Sequence, residues 1–334
     1  MSTEADAAPP HGTYFISGAS GFIGAHLTRR LVAAGCDVIA ADRSPVTATP
    51  GVTPVRCDIR DRASVEQALD GRTIKYAVHL AAKVGDFGAR AEFHAANVVG
   101  TRNVLEGLSA RGVTRIVHFS SIAAMGFDPG ASAGEDAPLS TDGDAYSATK
   151  AEGELVARDL QRRGAPIVII RPGDVYGPGS IPWVVRPVAM LRKRQMFFVD
   201  GGSGHFGHVY VDNLLDGVLL ALANPAAEGR AYILTDDEQD TSFRTYFTRL
   251  AIAVGAPAPR ISVPKPAALL LGAMVEQVAR VLGVTPPFTR TAVHFVTKGG
   301  SYSIARAKAE LGYSPRIKLD EGLDRIRDAY RSGG

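Results

Sequence analysis

The sequence predicts an α/β fold, a doubly wound parallel sheet followed by a smaller, mostly helical C-terminal lobe. From Thr13 onward, short apolar and β-branched runs alternate with amphipathic stretches, which is the pattern of successive βαβ units. After Arg171 and Pro172 this alternation gives way to separated helical segments. The 334 residues, of which 46% are hydrophobic, suffice for one large α/β domain or about two domains.

The individual elements follow from the period and length of the apolar runs. Strands are predicted at residues 14–17, 37–41, 52–57, 74–80, 115–119 and 167–170, and we expect six or seven strands in this part. Helices are predicted at 22–34, 93–111, 146–163, 183–194, 213–223, 242–254, 267–282 and 321–330. We therefore expect a sheet domain over residues 12–178 and a lobe over 179–331, from which some segments return to the sheet. Residues 1–11 are expected to form a flexible tail.

Composition and charge exclude several classes of protein. The 37 basic and 34 acidic residues are interspersed and leave a net charge of +3, so we expect no nucleic-acid partner. Cys36 and Cys57 lack metal or disulfide spacing, which predicts two buried thiols in a reducing compartment. No apolar run near the N-terminus reads as a secretory signal, and residues 267–275 are too few to span a bilayer. We expect a cytoplasmic protein without a transmembrane segment.

A glycine cluster ends the first predicted strand. Gly18, Gly21 and Gly24 lie where the next helix begins, with Phe22 and Ile23 in the same turn. Small residues at this GxxGxxG spacing allow a tight turn and close approach of the backbone to a pyrophosphate, which rests on the positive helix N-terminus. The position of the cluster between a strand and a helix predicts a dinucleotide-binding Rossmann domain.

Charged residues after the next two strands bear on the choice of cofactor. Asp42 closes the second strand, where a carboxylate accepts hydrogen bonds from the adenine ribose and repels a 2′-phosphate. This favours NAD, although Arg43 could stack on adenine or bind a 2′-phosphate, which leaves NADP open. Asp58 and Ile59 follow the third strand and are predicted to contact the adenine. For Asp58, a cap of the following helix is the alternative.

A tyrosine and a lysine share one face of the helix predicted at 146–163. Tyr146 and Lys150 are four residues apart, and a nearby cation favours the phenolate, so we expect a lowered tyrosine pKa. Such a group can act as general acid and base on a hydroxyl or carbonyl. Ser121 ends the preceding strand and could donate a hydrogen bond to the same substrate oxygen.

Seven motifs occur in one order along almost the whole chain. They are residues 17–24, Asp58-Ile59, His79-Leu80-Ala81-Ala82, Asn97-Val98-Val99-Gly100-Thr101, Ser120-Ser121, Tyr146 to Lys150, and Arg171-Pro172 with Tyr176-Gly177-Pro178. In this order they resemble the extended short-chain dehydrogenase/reductase superfamily. The resemblance implies an NAD(P)-dependent oxidoreductase, a fold of the Rossmann type and, commonly, a homodimer.

The resemblance also assigns roles to residues. Tyr146 would be the catalytic acid/base, Lys150 would lower its pKa and hold the nicotinamide ribose, and Ser121 would orient the substrate oxygen. Asn97 would belong to the proton-relay helix. The implied cofactor groove comprises Gly18, Gly21, Phe22, Ile23, Gly24, Asp42, Arg43, Asp58, Ile59, Ala81, Ala82, Lys83, Tyr146, Lys150, Pro172 and Val175.

Two branches of this superfamily compete. Sugar-nucleotide epimerases and dehydratases commonly carry an arginine that pairs with the diphosphate of the substrate, where this chain has Phe206. The residues around Phe206, and the run Ala82-Lys83-Val84-Gly85, are similar to the 3β-hydroxysteroid dehydrogenase-like branch. A dehydratase is disfavoured because the acidic pair that such enzymes place after the active-site serine is missing. The implied substrate contacts are Ser121, Gly85, Phe206 and His208.

Other signals stay open. The apolar helix near residues 266–283 could be core, a dimer surface, a substrate lid or a peripheral membrane contact. His205 and His208 have HxxH spacing but no nearby cysteine or carboxylate, so no metal site is predicted. His79 and His118 are expected to be interior residues with hydrogen-bond partners.

These observations predict hydride transfer between nicotinamide and a secondary alcohol or ketone of a hydrophobic small molecule. A 3β-hydroxysteroid or a related β-hydroxy or β-keto compound is the expected substrate. The alternative is a nucleotide-sugar epimerase with tightly bound NAD. A dinucleotide-sensing regulator on the same fold is a third possibility, disfavoured because both Tyr146 and Lys150 are present.

Overall fold

The computed structural model describes residues 7–238 and 240–332. Its strands are β1 (Thr13–Ser17), β2 (Asp37–Asp42), β3 (Val52–Arg56), β4 (Tyr76–His79), β5 (Arg115–Phe119), β6 (Ile167–Pro172), β7 (Asp174–Tyr176), β8 (Phe198–Val199), β9 (His208–Tyr210), β10 (Ala231–Leu234) and β11 (Ser262–Val263). Its α-helices are α1 (Phe22–Ala33), α2 (Arg62–Leu69), α3 (Arg90–His94), α4 (Gly100–Ser109), α5 (Ala145–Arg162), α6 (Arg186–Arg192), α7 (Val211–Ala223), α8 (Phe243–Ala253), α9 (Lys265–Leu282), α10 (Arg290–Val296) and α11 (Leu319–Ser332).

Seven parallel strands form the main sheet in the order β10-β6-β5-β4-β1-β2-β3. The central strand β1 pairs with β2 on one side and with β4 on the other, so Ile16 lies between Ala40 and Val78. Because the connections run outward in both directions from β1, a crevice opens at the carboxyl ends of the strands, where ligands bind in such sheets. The predicted α/β doubly wound fold is confirmed.

Apolar layers cover both faces of the sheet. Tyr14 and Ile16 of β1 pack in one layer with Leu27 of α1, whereas Phe15 points into the other layer with Val104 of α4. This alternation follows from the two-residue period of a strand. Both cysteines are buried, as predicted. The two layers place the glycine turn and α5 at the same edge of the sheet.

The C-terminal part has a core of its own and also completes the sheet. Phe206, Phe243 and Leu250 belong to a third apolar cluster beside α6, α8 and α11. Strand β10 pairs with β6 and α7 packs on the same sheet. The boundary at residue 178 stays a prediction.

Several local predictions need correction. The seventh strand comes from the C-terminal part, where no strand was predicted at residues 231–234. The helix predicted at 93–111 is continuous but contains a π-helical turn, Ala95–Val99. Of the predicted tail, residues 1–6 lie outside the described residues. Ala7 donates its amide to Asp216 Oδ1 (3.1 Å), and Pro10 accepts from the Tyr14 hydroxyl (2.6 Å), so these residues are held against the domain.

A buried ion pair joins the sheet to α5. Arg171 at the end of β6 and Glu154 of α5 are both fully buried, with Nη2 and Oε1 2.7 Å apart. Ser120 Oγ, just after β5, donates to Glu154 Oε2 (2.6 Å), and Arg171 Nη1 donates to the carbonyl of Glu135 (3.1 Å). Burial alone would raise the pKa of Glu154, but Arg171 and Ser120 hold it below its ordinary value. The pair therefore stays charged.

The Arg171→Met variant tests how much the fold depends on this pair. It should lower the free energy of unfolding by about 3 kcal/mol, because Glu154 loses its fully buried partner and keeps only the partly exposed Arg158 (2.8 Å) as a cation. Urea denaturation measures this change. As a control, Arg162→Met breaks an exposed pair with Asp159 (3.1 Å) and should cost below about 1 kcal/mol. Equal losses in the two variants would contradict the assignment.

Candidate active site

The glycine turn at the end of β1 brings the backbone of three segments close together. Gly18 has φ of +80°, and a Cβ there would lie 2.7 Å from the amide nitrogen of Ala81. A Cβ on Gly24 would lie 2.2 Å from the carbonyl oxygen of Gly18. Gly21 caps α1 without a side-chain hydrogen bond. The first amides of α1 therefore face the crevice without a side-chain cap, as an incoming phosphate requires.

Asp42 closes β2 beside this turn. Its carboxylate accepts hydrogen bonds from the amides of Ser20 (3.0 Å) and Ser44 (2.9 Å). These bonds hold the carboxylate at the edge of the sheet, while Arg43 is exposed to solvent. The predicted geometry of an acidic residue beside the glycine turn is thus present.

Asp58 and Ile59 make different contacts in the structure. Helix α2 is capped by Asp61, whose Oδ1 accepts from the Ala63 amide (3.0 Å), so the alternative role of Asp58 as that cap is wrong. The Asp58 carboxylate instead binds Arg60 (2.6 Å), which lowers the pKa of Asp58. Ile59 is buried against Gly100, where a Cβ would lie 2.7 Å from the Ile59 side chain.

Tyr146, Lys150 and Ser121 meet where β5 ends against α5. Asp144 caps α5 by accepting from the amides of Tyr146 (2.9 Å) and Ser147 (3.1 Å), which fixes the first turn. Ser121 Oγ accepts from the amide of Ala123 (3.1 Å) and so caps the 3₁₀ turn that follows β5. Lys150 Nζ donates to the carbonyl of Phe119. All three side chains therefore lie at the carboxyl edge of the sheet.

The pKa of Tyr146 differs from the sequence prediction. Burial raises the pKa of Tyr146 to about 12, and a hydrogen-bond interaction with Ser121 opposes the rise only in part. Burial also lowers the pKa of Lys150 to about 8, with Glu154 opposing. The predicted lowering of the tyrosine pKa is wrong for the chain alone, because the lysine ammonium binds a backbone carbonyl and the phenol is removed from water.

Asn97 links three elements behind the site. It lies in the π-helical turn; its Oδ1 accepts from the Lys83 amide (2.7 Å), and its Nδ2 donates to the Lys83 carbonyl (3.0 Å) and to Thr149 Oγ1 (3.0 Å). A Cβ on Gly153 would lie 2.4 Å from the Asn97 carbonyl oxygen. Asn97 therefore joins the loop after β4, through Lys83, to α5, through Thr149 and Gly153. The side chains of Phe22, Ile23, Ala81, Ala82, Lys83 and Val175 are partly exposed, whereas Pro172 is buried.

Two predicted substrate residues lie in the interior instead. Phe206 is fully buried, and its ring centroid lies 4.3 Å from that of Tyr246 and 4.9 Å from that of Trp183. His208 is buried on β9 between Asp236 Oδ2 (3.0 Å) and Thr241 Oγ1 (3.1 Å). Both side chains are packed in the interior, and their assignment as substrate contacts stays a prediction. Gly85 is exposed.

One interior histidine also departs from expectation. His79 binds Ser17 Oγ (2.6 Å) and Thr101 Oγ1 (3.2 Å), as predicted, and burial lowers the pKa of His79 to about 3. His118 stacks on His79 with ring centroids 5.4 Å apart. Within the described residues, neither ring nitrogen of His118 has a hydrogen-bond partner. Burial holds the pKa of His118 well below its ordinary value, so it is neutral.

Sequence reasoning missed a second buried ion pair near the tyrosine. Lys298 Nζ lies 3.1 Å from Asp174 Oδ2, and both residues are buried. Burial raises the pKa of Asp174, and Lys298 opposes the rise. The Asp174 carboxylate in turn contributes to the raised pKa of Tyr146. Asp174 lies two residues after Pro172, close to the last of the seven motifs. No sequence pattern indicated Lys298 as its partner.

Two features are absent from the part of the chain that the structure describes. No group of three or more His, Cys, Asp or Glu side chains there is arranged to hold a metal ion. None of the helices there is both long enough and apolar enough to cross a membrane.

The family of the chain is established by comparison with known proteins. The profile of the NAD dependent epimerase/dehydratase family matches residues 14–234, and the chain belongs to this family. The resemblance to extended short-chain dehydrogenases/reductases is thereby confirmed. So are the predicted enzyme class, an oxidoreductase acting on hydroxy or keto compounds, and the predicted NAD(H) cofactor.

Three relatives illustrate the similarity. A 2-alkyl-3-oxoalkanoate reductase of Stenotrophomonas maltophilia (strain K279a) is 31% identical, over 93% of this chain and 97% of the relative. A 4-hydroxy-2-methyl-3-oxo-4-farnesyl-3,4-dihydroquinoline-1-oxide ketoreductase of Stigmatella aurantiaca is 30% identical, over 96% and 97%. A 3beta-hydroxysteroid-dehydrogenase/decarboxylase of Arabidopsis thaliana is 29% identical, over 83% and 66%.

Solved structures share the fold. An epimerase from Methanothermobacter thermautotrophicus superposes with a TM-score of 0.79 at 21% identity, over 98% of this chain and 94% of that one. A dTDP-glucose 4,6-dehydratase from Streptomyces venezuelae, with NAD bound, has a TM-score of 0.75 at 25% identity, over 96% and 97%.

Gly24→Ala tests the glycine turn. The added Cβ would lie 2.2 Å from the Gly18 carbonyl oxygen, so the turn must move and the affinity for NAD should fall by roughly tenfold or more. Titration of NADH fluorescence measures the affinity. Gly134→Ala is the matched control, because nothing lies within 4 Å of its Cβ position and its φ is not positive. Unchanged NADH affinity in a folded Gly24→Ala protein would count against the assigned site.

Proposed function

We propose that the protein reduces a ketone, or oxidises the matching secondary alcohol, on a hydrophobic β-keto or β-hydroxy substrate. The observation that carries the proposal is the placement of Tyr146, Lys150 and Ser121 at the strand edge that also holds the glycine turn. In this arrangement the oxygen of a substrate carbonyl or hydroxyl can bind beside Tyr146, while the carbon that bears this oxygen would face the nicotinamide.

Tyr146 acts as the acid. A phenol with a pKa of about 12 is protonated at neutral pH and can donate its proton to the carbonyl oxygen as that oxygen gains negative charge. Ser121 Oγ donates a second hydrogen bond to the same oxygen. In the oxidative direction Tyr146 must first lose its proton, so the alcohol is oxidised faster as the pH rises.

Lys150 and Asn97 support this step. Lys150 Nζ lies on the face of α5 that carries Tyr146, four residues away, and its positive charge favours the phenolate that remains after proton transfer. Asn97 holds the loop at Lys83 against Thr149 of the same helix. Asn97 thus fixes the distance between the cofactor side and the tyrosine side of the site.

The residues present fit a dinucleotide. The uncapped N-terminus of α1 and the absence of side chains at Gly18 and Gly24 leave room for a pyrophosphate, and Asp42 lies where the adenine ribose would bind. When bound, the nicotinamide supplies or accepts the hydride. We assign the preference to NAD through Asp42, with NADP use depending on Arg43.

The substrate class follows from the lobe and the relatives. Cations buried near the site are already paired, Lys298 with Asp174 and Arg171 with Glu154, and Phe206 is packed into an aromatic core. A sugar diphosphate needs cations free to bind it. The names of these relatives specify a 2-alkyl-3-oxoalkanoate, a farnesyl dihydroquinoline-1-oxide and a 3β-hydroxysteroid, all of which carry apolar parts.

A nucleotide-sugar epimerase is the alternative, supported by the name of the family and by the epimerase fold. Reduced nicotinamide absorbance distinguishes the two. Purified protein with a 3β-hydroxysteroid or a long-chain 3-hydroxy acid and NAD should accumulate NADH, and the same protein with a UDP-hexose should not. The epimerase would be established instead if the UDP-hexose were isomerised without net formation of NADH, and if the apolar alcohols gave no NADH.

Tyr146→Phe tests the proposed acid. It should reduce kcat by on the order of a hundredfold or more, because the proton donor is removed. NADH affinity should change little, since the ring remains. In the wild-type protein, kcat/KM for alcohol oxidation should rise with pH through the neutral range, because the raised pKa keeps Tyr146 protonated there.

Tyr232→Phe is a control for this variant, because Tyr232 is a buried tyrosine of β10 whose hydroxyl binds Glu310 (2.8 Å) rather than the site. It should leave kcat and the pH profile unchanged. Wild-type turnover in Tyr146→Phe would refute the assignment.

Asp42→Asn tests the cofactor preference. Removal of the negative charge ends the repulsion of a 2′-phosphate, so the ratio of kcat/KM for NADP to that for NAD should rise by roughly tenfold. Steady-state kinetics with both cofactors measure it. Arg43→Ala should shift the same ratio toward NAD if Arg43 contacts the phosphate. A ratio unaltered in Asp42→Asn would remove Asp42 from the ribose site.

A further inference from the structure

Helix α9 exposes its apolar side chains to solvent. Leu270 is 66% exposed, Met274 57%, Val278 57% and Leu282 66%, and their four-residue spacing places them in one row along the helix. We call this row the α9 stripe. The opposite face of α9 buries Ala268, Gly272 and Ala279. The helix thus turns its larger apolar residues outward, which a helix that only completes a core does not do.

A groove extends the α9 stripe. Its volume is about 300 Å³, and its walls are side chains of α9 together with Val284 and Pro287, all apolar. Arg186 Nη2 donates to the Pro287 carbonyl (2.9 Å), so a cation borders the groove.

The charge around the α9 stripe is mostly positive. Residues 179–199 and 256–298 contain nine of the 37 lysines and arginines of the chain and one of its 34 acidic residues. One of the nine, Lys298, is buried and paired with Asp174, and the exposed Asp200, next to the first segment, accepts from the Lys265 amide at the start of α9 (2.7 Å). The two segments pack together through Phe197 and Phe288, with ring centroids 5.2 Å apart. The single acidic residue, Glu276, is buried and paired with Arg290 (2.9 Å). Arg186, Arg194, Arg260 and Arg280 are exposed.

The segment that follows α9 reaches the loop after β4. Thr289 Oγ1, which caps α10 immediately after α9, donates to Asp86 Oδ2 (2.7 Å). Asp86 follows Gly85 in the loop after β4. The buried face of α9, opposite the stripe, is the face next to this segment, because a Cβ on Gly272 would lie 3.0 Å from the amide nitrogen of Arg290.

We propose that the α9 stripe and its basic border bind the protein peripherally to an anionic lipid bilayer. An apolar row flanked by cations, without exposed carboxylates on α9, matches the acyl and headgroup layers of such a surface. A second copy of the chain fits less well. A two-fold interface places the same basic surface on both sides, and like charges would then face each other.

Vesicle co-sedimentation of the full chain tests this inference. Binding should be strong to phosphatidylcholine vesicles with about 30 mol% phosphatidylglycerol, and at least about tenfold weaker to phosphatidylcholine alone or in about 0.5 M salt. The double variant Val278→Asp with Leu282→Asp should bind the anionic vesicles about tenfold or more weakly. Thermal unfolding of the double variant shows that it is folded.

Ile252→Asp is the matched control, because Ile252 is an apolar residue of α8 that is 72% exposed and lies outside both basic segments. It should bind vesicles like the wild type. Equal binding by Ile252→Asp and the double variant, or no binding of the wild type to anionic vesicles, would overturn the inference. A dimer in lipid-free sedimentation that the double variant abolishes would assign the stripe to a second copy and overturn it as well.

Discussion

The position of the site depends on the buried ion pair between Arg171 and Glu154. Arg171 ends β6, Glu154 lies in the middle of α5, and Ser120 joins the pair from the end of β5. These bonds fix α5 across the carboxyl ends of two strands. Tyr146 and Lys150 lie on the first turns of that helix, and Ser121 follows Ser120 directly. A buried charge pair specifies such an arrangement more sharply than apolar packing does, because a shift of one residue leaves charges unpaired.

The same burial sets the protonation states of the site. Removal from water raises the pKa of Tyr146 and lowers that of Lys150, so both groups are pushed toward their neutral forms. His79 and His118 are neutral for the same reason. Lys298 Nζ lies 3.1 Å from Asp174 Oδ2 and opposes the rise that burial causes in the pKa of Asp174. At neutral pH Lys150, with a pKa of about 8, therefore keeps most of its positive charge, and this charge can stabilise the negative charge that develops at the site during the reaction.

The fold could be predicted from local and periodic signals in the sequence. Contacts between residues that are distant in sequence could not be predicted. The strand pattern, the glycine turn and the Tyr146–Lys150 spacing arise from neighbouring residues, so they could be seen in the sequence. Strand β10 was not predicted, because it has only four residues and lies between segments with a helical pattern. The interior position of Phe206 could not be predicted, because its ring packs against Trp183 and Tyr246, which are distant in sequence. The pairing of Lys298 with Asp174 could not be predicted for the same reason, because the two residues are 124 positions apart.

The two parts of the chain cannot supply the site separately. Asp174 lies on β7 beside the end of β6, and its partner Lys298 comes from the segment after α10. Strand β7 also pairs with β9, which belongs to the lobe. Lys298 opposes the rise that burial causes in the pKa of Asp174, and the charge of Asp174 contributes to the raised pKa of Tyr146. The electrostatics at Tyr146 therefore depend on residues from both parts of the chain.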